Sequence, residues 1–458
     1  MFPLIKRGLL DIWNRMWFWR GRTSQRDRGL SLGYRVSDGQ VTGKHLVISQ
    51  LRRTSHIAVL GKTGTGKSSL LRYLSQQDIM AGHGFVYFDL HGDATPFLLA
   101  TIAAREAAIG YELSENLIVI DPADPEFSVG LNFLEQDPPS FIRIAEFSQI
   151  LKQRWGLEYF GARTDELLRN SLYALAENRL TLLELTLFLA NTDFRTACLK
   201  RVTNAEVKQY FELRYDRTTE AMQAVMREPI LTRTTAFTAD PQFRHILGQQ
   251  NSTVSVLDAM DQGKWIILNL HKGRLSEHGI TLGSLFLTLI KNALFARRER
   301  QLFTLYCDEI QDLVFNESGI ETVLSEARKF GVAVISANQF LDQHSQRMRS
   351  AILAVGTHVF FQLSGNDAHR VASLVDGGRP LAELLKNLPR RQMVVKSGHE
   401  RWQEVLVPTV HTPKVSYADL YDRCRTRWAR RRSAIEEQIT ARQAQLTSNT
   451  DEALREWG

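Results

Sequence analysis

The chain has 458 residues, of which 43% are hydrophobic, 23% charged and 9% aromatic, with 29 Gly and only 12 Pro. These fractions exclude a disordered, collagen-like or disulfide-stapled protein and leave room for one large domain with an insertion, or for two to three domains. The formal net charge of +7 points to an anionic partner without identifying one. Its distribution is uneven: residues 1–30 carry +5, the six Arg of 423–432 carry +6, residues 433–458 carry −3, and the body from 31 to 422 carries −1. The basic character therefore belongs to the ends. Cys198, Cys307 and Cys424 stand far apart with no CxxC spacing, which fits a reducing cytosol and indicates neither a disulfide framework nor a structural metal.

Residues 1–25 read as an amphipathic, Trp-rich helix. Ile5, Leu9, Ile12, Trp13, Met16 and Trp17 share one face, with Lys6, Arg7 and Arg15 mainly elsewhere. Charges interrupt every apolar run, so neither the ~20 residues of a spanning helix nor a signal-peptide core is present. The pattern suits a membrane surface, or a helix docked on its own domain or on a partner protein. The expected location is cytoplasmic, with peripheral attachment at the inner face of the membrane as one option.

A short β-rich lead-in follows, around SLGYRV and HLVISQ. Apolar runs then alternate with helical patterns: HIAVLG (56–61), GFVYFDL (84–90), NLIVIDP (116–122), KWIILNL (264–270), FTLYCDEI (303–310), VAVISAN (332–338) and THVFFQL (357–363). Such runs predict a mainly parallel sheet covered on both faces. Between about 135 and 250 only helical periodicity appears, which predicts an all-helical insertion. The expected organisation is an ATPase core over 30–134 and 251–415, an all-α domain over 135–250, and an Arg-rich helical tail over 416–458.

Gly61, Lys62, Thr63, Gly64, Thr65, Gly66, Lys67 and Ser68 fulfil G-x-x-x-x-G-K-[ST] between a predicted strand and a predicted helix that continues through Ser69. The glycines let backbone N–H groups turn inward around phosphates, and the helix start adds its positive dipole end. Lys67 is expected at the β- and γ-phosphates, and Ser68 at Mg²⁺. The strand ending in Asp308 and Glu309 supplies the acidic partner, with Asp308 supporting the Mg²⁺ shell and Glu309 polarising a water on the γ-phosphate. ATP and Mg²⁺ are the expected ligands. The fold class is α/β, a RecA-like P-loop NTPase core with an all-helical insertion and helical termini.

No LSGGQ-like signature is present, and there is no second set of motifs for a two-lobed helicase. A single core of this kind completes its site with an arginine from a neighbouring subunit, so a ring is expected. Leu324-Ser325-Glu326-Ala327-Arg328-Lys329-Phe330-Gly331 follows the acidic strand, Ser336-Ala337-Asn338-Gln339 ends the next, and Phe88-Asp89-Leu90-His91-Gly92-Asp93 closes an earlier one. In this order the chain resembles the HerA–FtsK superfamily of ring DNA translocases, most closely the coupling-type ATPases of conjugation and type IV secretion. The resemblance covers roughly residues 30–410. It implies that Arg328 acts as a finger in trans and that Gln339 senses the γ-phosphate, nineteen and thirty residues beyond Glu309. It also implies a homo-hexamer with DNA in its pore. Unlike those coupling proteins, this sequence shows no transmembrane helices ahead of its core.

Other candidates have plainer readings. Arg328 and Lys329 equally suit a solvated helix face, and Gln339 a strand-end cap. Asp93 reads as the N-cap of the helix starting at Ala94, and His91 as a residue holding that turn. The Arg423–Arg432 cluster suits phosphates, an acidic partner surface or solvent. Two functions follow: a DNA-translocating ring motor, or an ATP-gated platform that docks protein through its N-terminal helix, helical insertion or C-terminal tail.

Overall fold

The computed structural model describes residues 29–135, 140–313, 320–340 and 345–455. The Trp-rich segment over 1–25 lies outside them, apart from any test of its expected helix. An eleven-stranded sheet runs through the molecule in the order β2-β1-β12-β11-β10-β3-β9-β8-β4-β7-β5. Seven neighbouring strands are mutually parallel: β10 (Thr357–Phe360), β3 (Ile57–Leu60), β9 (Val332–Asn338), β8 (Phe303–Asp308), β4 (Gly84–Asp89), β7 (Trp265–Asn269) and β5 (Leu117–Ile120). They are the apolar runs of the sequence, buried almost without interruption, as a sheet covered on both faces requires. Beyond β10 the sheet turns antiparallel through β11 (Gln392–Ser397), β12 (Gln403–Leu406), β1 (Leu30–Ser37) and β2 (Gln40–Ile48).

Alternation along each strand divides the core into two layers. Phe85, Tyr87, Leu117 and Ile267 face α1 (Lys67–Ala81), α2 (Ala94–Ile109) and Leu420 of a C-terminal helix. Val86, Phe88, Ile118 and Ile266 face the other way, against helices of 141–296. Of these, α3 (Phe141–Arg154), α4 (Ala162–Glu177), α5 (Thr192–Arg201), α6 (Glu220–Thr238) and α7 (Pro241–Leu247) come from the stretch between β5 and β7. The described part of 135–250 is helix and turn, and its Ile144, Phe147, Leu168 and Leu172 belong to the same apolar cluster as the sheet.

Helix α8 (Lys272–Ala296) follows β7 and fills the layer beneath the sheet. It is the one helix, among the described residues, long and apolar enough to cross a membrane, and most of it is buried in the core. Ser276 (φ +50°, ψ −142°) breaks its regularity, leaving Lys272–Leu275 as a separate first turn.

Among the described residues, the Arg53–Asp78 ion pair is fully enclosed. Arg53, 0% exposed, donates through Nη1 to Asp78 Oδ1 at 2.6 Å and through Nη2 to Thr304 Oγ1 at 2.6 Å, while Tyr306 Oη donates to Asp78 Oδ2 at 2.6 Å. Asp78 lies on α1, so the helix that opens at the phosphate loop is pinned to β8 by charge as well as packing.

The tail is not a free basic run. Helix α9 (Ala418–Trp428) packs on β5, with Cys424 Sγ donating to the Leu117 carbonyl at 3.1 Å. Arg430–Arg431 form a two-residue strand, β13, antiparallel to β6 (Phe127–Ser128). Helix α10 (Arg432–Arg455) then crosses to the helical layer, where Ile435 and Ile439 pack on Leu183. The expectation of an Arg cluster facing phosphates, an acidic partner surface or solvent is corrected for half of its members, which are taken up within the chain. Arg423 pairs with Glu106 and Asp419, and Arg425 with Asp422 at 2.8 Å. Arg432 Nη2 donates to the Pro122 carbonyl at 2.6 Å. Arg427, Arg430 and Arg431 remain exposed.

Candidate active site

The site lies at the carboxyl ends of the parallel strands, where β3, β9, β8, β4 and β7 release their loops. This is where open α/β sheets place ligands. Apolar strands stop and polar loops begin along one rim, so residues remote in sequence are brought together there.

After Leu60 the chain enters the loop Gly61–Gly66. Thr65 Oγ1 donates to the Lys62 carbonyl at 2.7 Å, and the Lys62 N–H to the Gln362 carbonyl at 2.9 Å, which fixes the loop to the end of β10. Gly66 stands at φ +126°, and a Cβ there would come within 3.0 Å of Arg391 Cα and 3.1 Å of the Phe361 ring. Only glycine lets the backbone pass so close. Gly66 is also the N-cap of α1 and makes no side-chain cap, so the first turn of the helix (Lys67, Ser68, Ser69) is not closed by one. Lys67 Nζ donates to the carbonyls of Gly61 at 2.6 Å and Lys62 at 3.0 Å. Burial pulls its pKa down, against the attraction of Asp308 and Glu309.

Ser68 Oγ, on α1, donates to Asp308 Oδ2, at the end of β8, at 3.1 Å. Burial pushes the Asp308 carboxyl above its ordinary value, opposed by the Ser68 hydrogen bond and the Lys67 ammonium. Glu309 follows at φ +57°, a backbone region that a side-chain-bearing residue seldom adopts and that clusters at functional sites. Its N–H donates to the Ala337 carbonyl at 3.0 Å.

Both carboxylate oxygens of Glu309 are held. Gln339 Nε2 donates to Oε1 at 2.8 Å, and Gln339 Oε1 accepts from Thr63 Oγ1 at 3.2 Å, joining the phosphate loop to Glu309. Lys272 Nζ donates to Oε2 at 2.8 Å, and His91 Nε2 lies 3.3 Å from the same oxygen. The His91 hydrogen bond and the Lys272 charge keep the Glu309 carboxyl far below the usual range, outweighing burial. In return, the Glu309 hydrogen bond raises the His91 pKa.

The turn after β4 corrects two expectations. Asp93 makes no capping bond to α2. Asp89 caps instead: its Oδ2 accepts from the N–H groups of Ala94 at 3.0 Å and Thr95 at 2.7 Å, and its Oδ1 from Gly92 at 2.9 Å. His91 does more than hold the turn, since it reaches Glu309. Gln339 likewise does more than cap β9. Arg328, in a 3₁₀ turn (Ala327–Phe330), is exposed and acts electrostatically on His56 at the start of β3, the opposite end of that strand from the loop. Lys67, Ser68, Asp308, Glu309 and Gln339 are thus gathered in one place, and Arg328 stands apart. Lys272 and Asp312 went unread because no motif marks them; His91 lay in a noticed segment, and its proximity to Glu309 was the missing signal.

A HerA–FtsK-type P-loop ATPase motor fold, related to that of conjugative coupling proteins, is what this sheet and this rim define. Residues 49–285 match the family model described as the central domain of helicase HerA, and the chain belongs to that family. Among solved structures, the plasmid coupling protein TrwB in complex with ADP and Mg²⁺ is similar at a TM-score of 0.58 and 16% identity, over 85% of this chain and 97% of that one. The same protein bound to a non-hydrolysable ATP analogue gives 0.59 and 16%, over 85% and 97%. VirB4 of Thermoanaerobacter pseudethanolicus gives 0.55 and 15%, over 83% and 97%. No curated protein sequence matches the chain.

Proposed function

We propose that the protein is a Mg²⁺-dependent ATPase that works as a homo-hexameric ring and drives DNA through its centre. The observation that carries the ATPase part of the reading is the Ser68–Asp308 contact of 3.1 Å at the start of the helix after the phosphate loop, with Glu309 tied to that loop through Gln339 and Thr63. A hydroxyl and a carboxylate are hard oxygen donors of the kind Mg²⁺ takes, usually together with waters and substrate phosphates. The cradle at Gly66, which a Cβ would fill, fits a phosphate chain. Bound with the nucleotide, Mg²⁺ neutralises charge on the phosphate oxygens.

In this reading the amides of Gly61–Ser69 and Lys67 hold the phosphates, and Ser68 and Asp308 hold the metal. Glu309 orients the attacking water, accepting its hydrogen bond through a carboxylate that stays ionised. Gln339 reports on the γ-phosphate through its bond to Thr63. Arg328, exposed and outside its own chain's site, completes the site of a neighbour. Membership of the HerA family supports DNA as the cargo, and the helical layer and tail are the surfaces left for partners. A cytoplasmic location matches this reading, with residues 1–25 available to attach the ring to a membrane surface or to a partner protein.

The test is the ATPase rate with and without double-stranded DNA, beside Glu309→Gln. Stimulation by DNA that weakens with salt, abolished in Glu309→Gln, supports the motor. Turnover indifferent to DNA, with no salt-dependent binding, rejects it in favour of the protein-docking platform.

A further inference from the structure

Glu309 is held from both sides, and the two sides differ. Gln339 is a neighbour, on the strand next to β8. Lys272 is not: it opens the helix after β7 and reaches across the end of β4 to Oε2. It sits on the single turn that Ser276 separates from the rest of α8, so packing of the long helix alone does not aim it. What aims it is Asp312, whose carboxylate Lys272 also contacts. Asp312 is in turn fixed by the helical insertion. Arg154, the last residue of α3, donates through Nη2 to the Asp312 carbonyl at 2.7 Å and to Ser284 Oγ at 2.6 Å. Ser284 Oγ donates to the Leu313 carbonyl at 2.7 Å. The short turn Ile310–Leu313 after Glu309 is therefore grasped on its backbone by Arg154 and Ser284 and on its side chain by Lys272.

We propose that Lys272 is a positioning residue for the Glu309 carboxylate and that Arg154 holds it in place through Asp312, so that the helical insertion sets the geometry of the hydrolytic carboxylate. The inference rests on the reading of Glu309 as the group that orients water. It extends that reading by giving the insertion a defined polar line of contact to the hydrolytic step, from Arg154 through Asp312 and Lys272 to Glu309, beside the apolar cluster they share. Carboxylate placement matters because displacement of about 1 Å at a reacting group can cost roughly 100-fold.

The experiment measures steady-state ATP turnover and the affinity for a fluorescent ADP analogue in the full chain, with melting curves for each variant. Lys272→Met is expected to lower kcat by roughly 10–100-fold while leaving ADP affinity within about threefold. Lys272→Arg, which keeps the charge and the donor, should recover part of the loss. Arg154→Ala should lower kcat in the same direction. Combined with Lys272→Met it should add nothing, because both act on one carboxylate. Should Arg154→Ala melt early, Arg154→Met, which keeps the packing of the stem and removes the donors, takes its place in the cycle. Losses that multiply in the double variant overturn the inference, as does wild-type turnover in Lys272→Met or a fall in ADP affinity that matches the fall in kcat. If Glu309→Gln is inactive and Lys272→Met is not, this inference alone fails. If Glu309→Gln turns over normally, the assignment of Glu309 fails and takes the inference with it.

Discussion

Gly66 shows how little room the phosphate loop leaves. Its Cβ-less backbone passes Arg391 Cα and the Phe361 ring at distances where a methyl group forces both to move, at a φ that L-residues avoid. Gly66→Ala is expected to lower affinity for a fluorescent ATP analogue by more than about tenfold, because the loop can no longer close around phosphates. Near-normal affinity would show the loop to be slack. His56 makes the second residue-scale prediction. Burial holds its pKa at about 4, against a hydrogen bond to the Leu324 backbone and assisted by the nearby Arg328 charge, and its Nδ1 accepts from the Val334 N–H at 3.0 Å. The unfolded chain takes up this proton near pH 6.5 and the folded chain does not until about 4. Stability is therefore complete above about 6.5 and declines as pH falls toward 4, by about 3 kcal/mol over that window. Urea midpoints at pH 7.5 and 4.5 should fall less in His56→Asn, a change the residue's φ of +67° tolerates.

At the scale of elements, helix α1 is held at both ends by different means. Its N-terminus hangs on the phosphate loop, and near its C-terminus Asp78 is locked to Arg53 and Tyr306, with Arg53 held in turn by Thr304, in a space closed to water. Removing one partner of a buried pair leaves the other charge uncompensated, so Asp78→Ala is expected to cost about 3–5 kcal/mol in chemical denaturation. The paired replacement of Arg53 and Asp78 by apolar residues should cost much less. Those strands and that loop were legible in the sequence because their signals are local: four to seven apolar residues in a row, then a Gly-rich turn. The grip on Glu309 was not. Lys272 and Glu309 are 37 residues apart with a long helix between them, and no spacing rule relates a lysine that opens a helix to a carboxylate just past a later strand. Asp93 was misread for a related reason: the N-cap position was right, but a deeper carboxylate, Asp89, reaches the same amides from inside the strand.

For the whole molecule, the charge map takes on a different meaning. Arg423 contacts Glu106 across 317 residues of sequence, and Arg442 Nη2 lies 2.9 Å from Glu184, whose side chain is fully buried. Part of the basic tail is thus matched to acids of the body, which charge counting along a chain cannot see. Among the exposed arginines, Arg328 is the one proposed to serve a neighbour's site. In a ring, Arg328→Ala keeps an intact loop but offers no finger, and Lys67→Ala keeps the finger but not the loop. Each alone should be nearly inactive, and mixed rings should recover turnover to a fraction set by the mixing ratio. Additive inactivity in mixtures whose assembly is verified by light scattering would place the site within one chain.

The seam between Leu183 and the pair Ile435 and Ile439 also dictates an order of events during synthesis. Leu183 leaves the ribosome 252 residues before Ile435 does (435 − 183), a delay of roughly 13–50 s at ordinary elongation rates. Throughout that interval Leu183 has no apolar cover from α10, and the Glu184 carboxylate has no Arg442 beside it. The nascent protein therefore carries a temporary sticky seam, which makes α10 a timed closure as well as a structural strap.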